Sequence, residues 1–376
     1  MNILILHGSS DLYGASKILL VTVRTLIKKE RKPIIVLTEN GPLADQLKAL
    51  GAEVIFIRLG ILRRKYKTIP GIINRLRVIL SARLVIKKLI KEREIELVYS
   101  NTTAVLAGAF AARSMGIKHI WHVHEIIEYP KWMYRFLGYL LNHYSNKVIV
   151  VSAAVQKSWS KYVSPEKMQL IYNGIDYSPY LTPSHKLRKE LGIDNETVVI
   201  GMIGRVHYWK GQVYFLQIVS EISKQFNNVH FVMIGDVFPG YEYLYEELDN
   251  LIKQEKIGHL VSDLGYRTDV AELITGFDIL VLPSILPDPF PTVVLEAMAS
   301  AKPVAATAHG GALEMVDENQ TGVLIPVNDV KKAASIIGKL IGNKALRIQM
   351  GEAARKKVLE QYSQEAFENK MINVLE

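Results

Sequence analysis

The stretch Phe277–Ser300, FDILVLPSILPDPFPTVVLEAMAS, decides how the chain folds. Its apolar run Ile279–Leu282 has the length of a buried strand, and Pro283, with no N–H to give a ladder, ends that strand near Ser284. The loop from 285 to 291 holds three prolines and one carboxylate, Asp288, before a helix-compatible run from Thr292 to Ser300 that carries Glu296. Two acids eight positions apart therefore bracket a helix entry. In an open α/β sheet, ligands bind beyond the carboxyl ends of the strands. There the first turn of the next helix offers unpaired N–H groups and a positive dipole end. Such a place suits an anionic ligand.

The same alternation of strand and helix surrounds this segment, with strands expected near 197–203, 229–234, 260–263, 278–282, 303–306 and 322–325. The first of them runs into Gly204-Arg205-Val206-His207-Tyr208-Trp209-Lys210-Gly211. Glycine at the strand exit lets the backbone approach a ligand, and one Arg with one Lys at a helix start would neutralise a diphosphate. Ile234-Gly235-Asp236 marks the next strand exit, and HGGALEMV and QTGVLIP follow downstream.

Taken together, the acid–seven residues–acid spacing with LEAMA at Leu295–Ala299 resembles the signature of retaining nucleotide-sugar glycosyltransferases of family four. GRVHYWKG matches that family's G-R-x-x-x-x-K-G motif at Arg205 and Lys210. The departures are Asp288 where the family more often has Glu, and Pro289 and Pro291, each of which deletes one N–H from the loop. The resemblance implies two Rossmann-like, doubly wound α/β domains facing across a cleft, the GT-B fold. Residues 178–361 would bind the donor; residues 1–177, with a C-terminal crossover helix at about 362–376, would bind the acceptor. It further implies that Arg205 and Lys210 hold the diphosphate and that Glu296 holds the ribose. Asp288 and the amides of Phe290 and Thr292 would hold the sugar, with Gly14, Gly204 and Gly235 lining the donor. No cofactor beyond the nucleoside-diphosphate sugar itself, and no metal, is implied.

The first half alternates as well, with strands expected near 2–7, 33–38, 53–57, 96–100, 118–124 and 147–151. Strand one passes through His7-Gly8 to Gly14-Ala15-Ser16, where a helix begins; the G-x-G-x-x-G dinucleotide spacing is absent. The fifth strand ends in His122, Val123, His124 and Glu125, where a parallel sheet places its site. The two histidines share a face by the two-residue period. In the related glycosyltransferases a histidine ends this strand and faces the sugar; ungapped alignment from Gly116 puts it at His124, with His122 as the alternative. Tyr129, Trp132, Met133, Tyr134, Phe136 and Tyr139 follow, either as core or as a lid facing acceptor or lipid.

Charge separates the halves. Residues 1–177 hold 27 Lys+Arg against 12 Asp+Glu, whereas the remainder holds 19 against 25. From Arg58 to Arg93 twelve basic residues stand against the single acid Glu92, and Arg63, Arg64, Lys65, Tyr66 and Lys67 form the densest cluster. Because each basic residue near an anionic leaflet contributes about 1 kcal/mol, the expectation is a cytoplasmic enzyme held peripherally on the inner face of the membrane. Its acceptor would be a lipid-linked or other glycan in surface-polysaccharide assembly. No run reaches the roughly 20 apolar residues of a membrane helix. With no cysteine, disulfides and thiolate metal sites are excluded. Two rival classes remain: a sugar-nucleotide epimerase of the same architecture, and a nucleic-acid-binding protein. The latter lacks any helix-turn-helix, aromatic RNA motif or zinc pattern.

Overall fold

The computed structural model describes every residue except 62–67, 128 and 239. It divides into two compact units, residues 1–175 with 364–376, and residues 176–363. Each unit is built on one parallel sheet.

The first sheet has seven strands: β1 (Asn2–His7), β2 (Lys32–Leu37), β3 (Glu53–Phe56), β4 (Leu97–Asn101), β5 (Lys118–Val123), β6 (Lys147–Val150) and β7 (Met168–Leu170), in the order β3-β2-β1-β4-β5-β6-β7. Most of these strands are continuous apolar runs because helices cover both faces of a parallel sheet. The edge strand β7 was not expected from the sequence. It is three residues long, too short for a period to register, and its pairing with β6 defines it.

The second sheet has six strands: β8 (Val198–Ile203), β9 (Val229–Ile234), β10 (Val261–Asp263), β11 (Ile279–Leu282), β12 (Val304–Thr307) and β13 (Gly322–Ile325), ordered β10-β9-β8-β11-β12-β13. All six lie within two residues of their expected positions. In both sheets the winding reverses between central neighbours, β1 with β4 and β8 with β11. Loops leaving such neighbours diverge and open a crevice at the strand ends.

Three helices bear on function. Gly14–Lys28 follows β1 and packs against the C-terminal helix Gln364–Leu375, which buries Phe367, Met371, Ile372 and Leu375. Ile69–Glu92 is capped by the Thr68 hydroxyl, which accepts from the Gly71 N–H at 3.2 Å, and carries Pro70 in its first turn. It buries only Ile79, Ala82, Ile86 and Ile90. Its outer side exposes Ile69, Ile72, Ile73, Leu76, Leu80, Leu84 and Val85, so the solvated basic face expected of a sheet-covering helix is interleaved with apolar residues. Lys131–Tyr144 splits its aromatics. Tyr134 packs on Trp159 and Tyr162, while Trp132, Phe136 and Tyr139 are exposed, as is Tyr129 just before the helix. None of the described helices is long and apolar enough to cross a membrane.

Candidate active site

The second unit assembles its candidate residues at the exits of β8, β9 and β11. Gly204 ends β8 by donating its N–H to the Ile234 carbonyl at 2.9 Å. The next residue, Arg205, lays its guanidinium over the Phe238 ring, 3.4 Å from the centroid, and its carbonyl accepts from Gln212 Nε2 at 3.0 Å. Lys210 closes a single 3-10 turn, and Gly211 after it takes φ +82°, with a Cβ position only 1.9 Å from the Pro283 carbonyl oxygen. Any side chain there would drive the β8 and β11 exits apart. Gly235 is similar: at φ +149° its Cβ position falls 1.9 Å from the Gly204 carbonyl oxygen.

This close packing brings Lys210 to Asp288. Its ammonium ion-pairs with the carboxylate, and the side chains are 19% and 8% exposed. The Ser284 hydroxyl also donates to Asp288, at 3.3 Å. Asp288 is held from behind as well: its carbonyl accepts from the Gly311 N–H at 2.7 Å, and the Ile285 N–H donates to the Trp209 carbonyl at 2.9 Å. The Ser284 carbonyl accepts from Thr307 Oγ1 and from His309 Nε2, both at 2.7 Å. The proline-rich loop is thus a braced element.

Glu296 lies on the helix Thr292–Ala299, and it is buried. The Tyr180 hydroxyl hydrogen-bonds it; burial, then the Glu296 charge, push that phenol far above its ordinary range. Phe290 is a core residue, edge-on to Tyr362 at 5.3 Å between centroids, so only its backbone is a candidate ligand. Thr292 is the first helical residue after Pro291, where first-turn amides emerge.

The first unit gathers a polar cluster at the exits of β1, β4 and β5, where His7 pairs in register with Asn101 and Asn101 with His122. His122 is fully buried, its Nδ1 engaged by the Tyr99 hydroxyl, and its ring centroid lies 4.0 Å from that of His124. His124 is half-buried. The sequence left both histidines open; the structure makes His122 interior and leaves His124 the accessible one. Burial holds His7 at about 4 and His122 at about 3. It also holds His124 well below the ordinary value, with the His122 and His7 rings adding to the effect. Glu125 is pushed up to about 7 by burial, although its oxygens accept from the Thr103 N–H at 3.2 Å and the His124 N–H at 3.1 Å. Gly14 opens the Gly14–Lys28 helix, and the Asp11 carboxylate just before it accepts from the Tyr13 N–H at 3.4 Å.

Arg205, Lys210, Asp288 and Glu296, with Gly204 and Gly235, thus belong to one unit, and His124, His122, Glu125 and Gly14 to the other. Arg63, Arg64, Lys65, Tyr66 and Lys67 lie outside the described residues; Trp132 is 60% exposed. Among the described residues no cluster of three or more His, Asp or Glu side chains is placed to hold a metal ion. Sequence reasoning missed Asn101 and Tyr180. Asn101 ends a strand, and that position was the available signal; Tyr180, in the four-residue helix Ser178–Leu181 after the unit boundary, carried none.

Two family models match adjoining parts of the chain: Glycosyltransferase Family 4 over residues 26–178 and Glycosyl transferases group 1 over residues 183–357. The UDP-Gal:alpha-D-GlcNAc-diphosphoundecaprenol alpha-1,3-galactosyltransferase of Escherichia coli is 24% identical, over 93% of this chain and 89% of that protein. An uncharacterized glycosyltransferase of Methanocaldococcus jannaschii, MJ1607, is 27% identical over 63% of this chain and 62% of its own length. The crystal structure of Anabaena HepE in complex with UDP-glucose superimposes with a TM-score of 0.85 at 25% identity, covering 100% of this chain and 99% of that one. With two parallel α/β sheets, both halves of the chain matched and the GT-B fold shared throughout, this protein belongs to the family 4 retaining glycosyltransferases.

Proposed function

We propose that this enzyme transfers a hexosyl group from a UDP-sugar to a lipid-linked glycan acceptor at the inner face of the cytoplasmic membrane, in assembly of a surface polysaccharide. The observation that carries the donor half is the convergence of Arg205, Lys210 and Asp288 at the exits of two neighbouring strands, β8 and β11, where the second sheet reverses its winding. Departure of a nucleoside diphosphate builds charge on the phosphates, and fixed cations stabilise that charge without reorganising. Arg205, stacked on Phe238, and Lys210 take that role. Glu296, oriented by Tyr180, accepts from the ribose hydroxyls. Asp288 and the amides at Phe290 and Thr292 hold the sugar, and His124 contacts a hydroxyl of the ligand. Retention is accounted for by front-face substitution, in which no covalent sugar adduct forms. The bond from C1 to the diphosphate oxygen breaks, the bond to the acceptor oxygen forms on the same face, and the acceptor's proton passes to the departing phosphate oxygen.

The acceptor half rests on surface chemistry and on the diphosphoundecaprenol substrate named for the Escherichia coli relative. The helices Ile69–Glu92, Ala107–Met115 and Lys131–Tyr144 carry nine Lys or Arg and the single acid Glu92. Their exposed apolar residues, Leu76, Leu80 and Trp132 among them, suit the boundary of an anionic bilayer. The test is a donor panel incubated with and without a short-chain polyprenyl-diphosphate-linked sugar. Acceptor-dependent release of UDP supports the reading. Conversion of the donor to an epimer without acceptor would replace it with an epimerase, and transfer only to water-soluble glycans would remove the lipid-linked acceptor.

A further inference from the structure

A chain of hydrogen bonds with a fixed direction runs through the first unit's cluster. Asn101, wholly buried at the end of β4, reaches three groups with one amide. Nδ2 lies 3.3 Å from the Ala15 carbonyl oxygen and 3.0 Å from His7 Nδ1, while Oδ1 lies 2.9 Å from His124 Nε2. A carbonyl oxygen only accepts, so the Ala15 contact fixes which end of the amide is NH2. The reversed amide would set two carbonyl oxygens against each other at that distance.

Everything else follows from that orientation. Nδ2 has a second hydrogen for His7 Nδ1, which accepts it and is therefore unprotonated. His7 then carries its proton on Nε2 and donates to Ser16 Oγ at 3.0 Å, and Ser16 Oγ lies 3.5 Å from the Asp11 carboxylate. On the other side Oδ1 is an acceptor, so His124 carries its proton on Nε2. Its Nδ1 is left as a lone pair.

We propose that Asn101 is a positioning residue that locks His124 as the Nε2–H tautomer and so presents a lone pair at Nδ1, making His124 a hydrogen-bond acceptor for a ligand hydroxyl. This rests on the proposed placement of His124 beside the transferred sugar or its acceptor. The ionisable groups around the ring agree with a neutral imidazole. The His122 ring lies tilted beside it, His7 lies beyond Asn101, and Glu125 takes its backbone N–H; Asp11 lies 3.5 Å from the Ser16 hydroxyl and acts on His7. The arrangement selects for a hydroxyl at this position, because an analogue lacking that hydroxyl leaves a polar ring nitrogen without a donor.

Long-range proton–nitrogen correlation spectra of the full chain labelled with 15N-histidine test this directly, with His124→Gln assigning the resonance. The expected result is a neutral Nε2–H pattern for His124 at pH 7. An Nδ1–H pattern or an imidazolium at pH 7 would overturn the proposal, and this arm needs no variant of Asn101 to fold. Asn101→Asp, nearly the same shape, puts a carboxylate between the two rings. It should give an imidazolium signature at His7 or His124 near neutral pH, lower kcat at least about 10-fold and add a new ionisation to the pH–rate profile. An unchanged tautomer or an unchanged profile in that variant would refute the positioning role. Absence of sugar transfer from every donor would instead count against the functional reading, leaving the tautomer result standing.

Discussion

Lys210 and Asp288, 78 positions apart in sequence, close an ion pair between the loops that leave β8 and β11. The cation proposed for the diphosphate and the acid proposed for the sugar therefore restrain each other. Asp288→Asn releases the ammonium toward phosphate while replacing the ionised acceptor for the sugar by a neutral amide. UDP should bind tighter, by up to about 10-fold, and turnover should fall; calorimetry and steady-state rates check the two halves. Lys210→Ala strands a carboxylate that is only 8% exposed, so it should lower stability by about 1–3 kcal/mol as well as turnover. Arg205→Ala should lower turnover by about 10²-fold, the scale for losing a preorganised charge. Weaker UDP binding in Asp288→Asn would contradict the coupling.

Glu296 and Tyr180 form the second test. Glu296→Gln keeps the size but loses the ionised acceptor, so donor affinity should weaken by about 1.5–3 kcal/mol. Tyr180→Phe leaves the carboxylate and removes only the donor that orients it, so it should raise the donor KM by a smaller factor at nearly constant kcat. Isothermal calorimetry with UDP separates the two. Equal losses in both variants would make Tyr180 a direct ligand.

Acid should destabilise the protein. His7, His119 and His122 are held at about 4, 4 and 3 by burial, so the unfolded chain takes up protons near 6.5 that the folded state refuses. Their contribution is complete above pH 6.5 and is lost as pH falls through the folded values. Each gives up about 2 kcal/mol by pH 5. Glu125, raised to about 7, acts in the opposite sense: its burial penalty is full above pH 7 and is relieved on acidification. Three histidines outweigh one acid. Scanning calorimetry should show a lower Tm at pH 5 than at pH 7, a shallower fall in His119→Gln and a steeper one in Glu125→Gln. A Tm that rises toward pH 5 would reverse the assignment.

Vesicles test the outer helices. Binding to anionic but not neutral vesicles should disappear at high salt, because the Debye length shrinks from about 10 Å at 0.1 M to about 3 Å at 1 M. Leu76→Ser with Leu80→Ser should weaken it, as should reversal of Arg63, Arg64 and Lys65 to Glu. Sedimentation of the full chain reads both. Equal binding to neutral vesicles, or binding to neither, would leave a soluble acceptor.

The parts of this fold legible in sequence were those in which a local pattern carries its own geometry. A four-residue apolar run closed by Pro283 reads as β11, and Gly204 and Gly211 around Arg205 and Lys210 read as a strand exit because backbone approach needs glycine. What pairs at long range was not legible. Nothing in DPFPTVV announces that Asp288 meets Lys210, and nothing in YSNTT announces that Asn101 bridges His7 and His124, since both depend on register between strands far apart in sequence. His122 and His124 share a period and differ only in depth, which the neighbouring strands and helices set. On the Ile69–Glu92 helix the apolar count was plain, but which of those residues stay uncovered depends on a layer that no periodicity describes.

The last helix, Gln364–Leu375, belongs to the unit that begins the chain, where Arg31 meets Glu376 at 2.6 Å. Synthesis therefore completes the second unit before the first has all of its parts. Until that helix emerges, the apolar side of Gly14–Lys28 that it covers stays unpacked, so the first unit finishes folding only after the whole of the second has been synthesised.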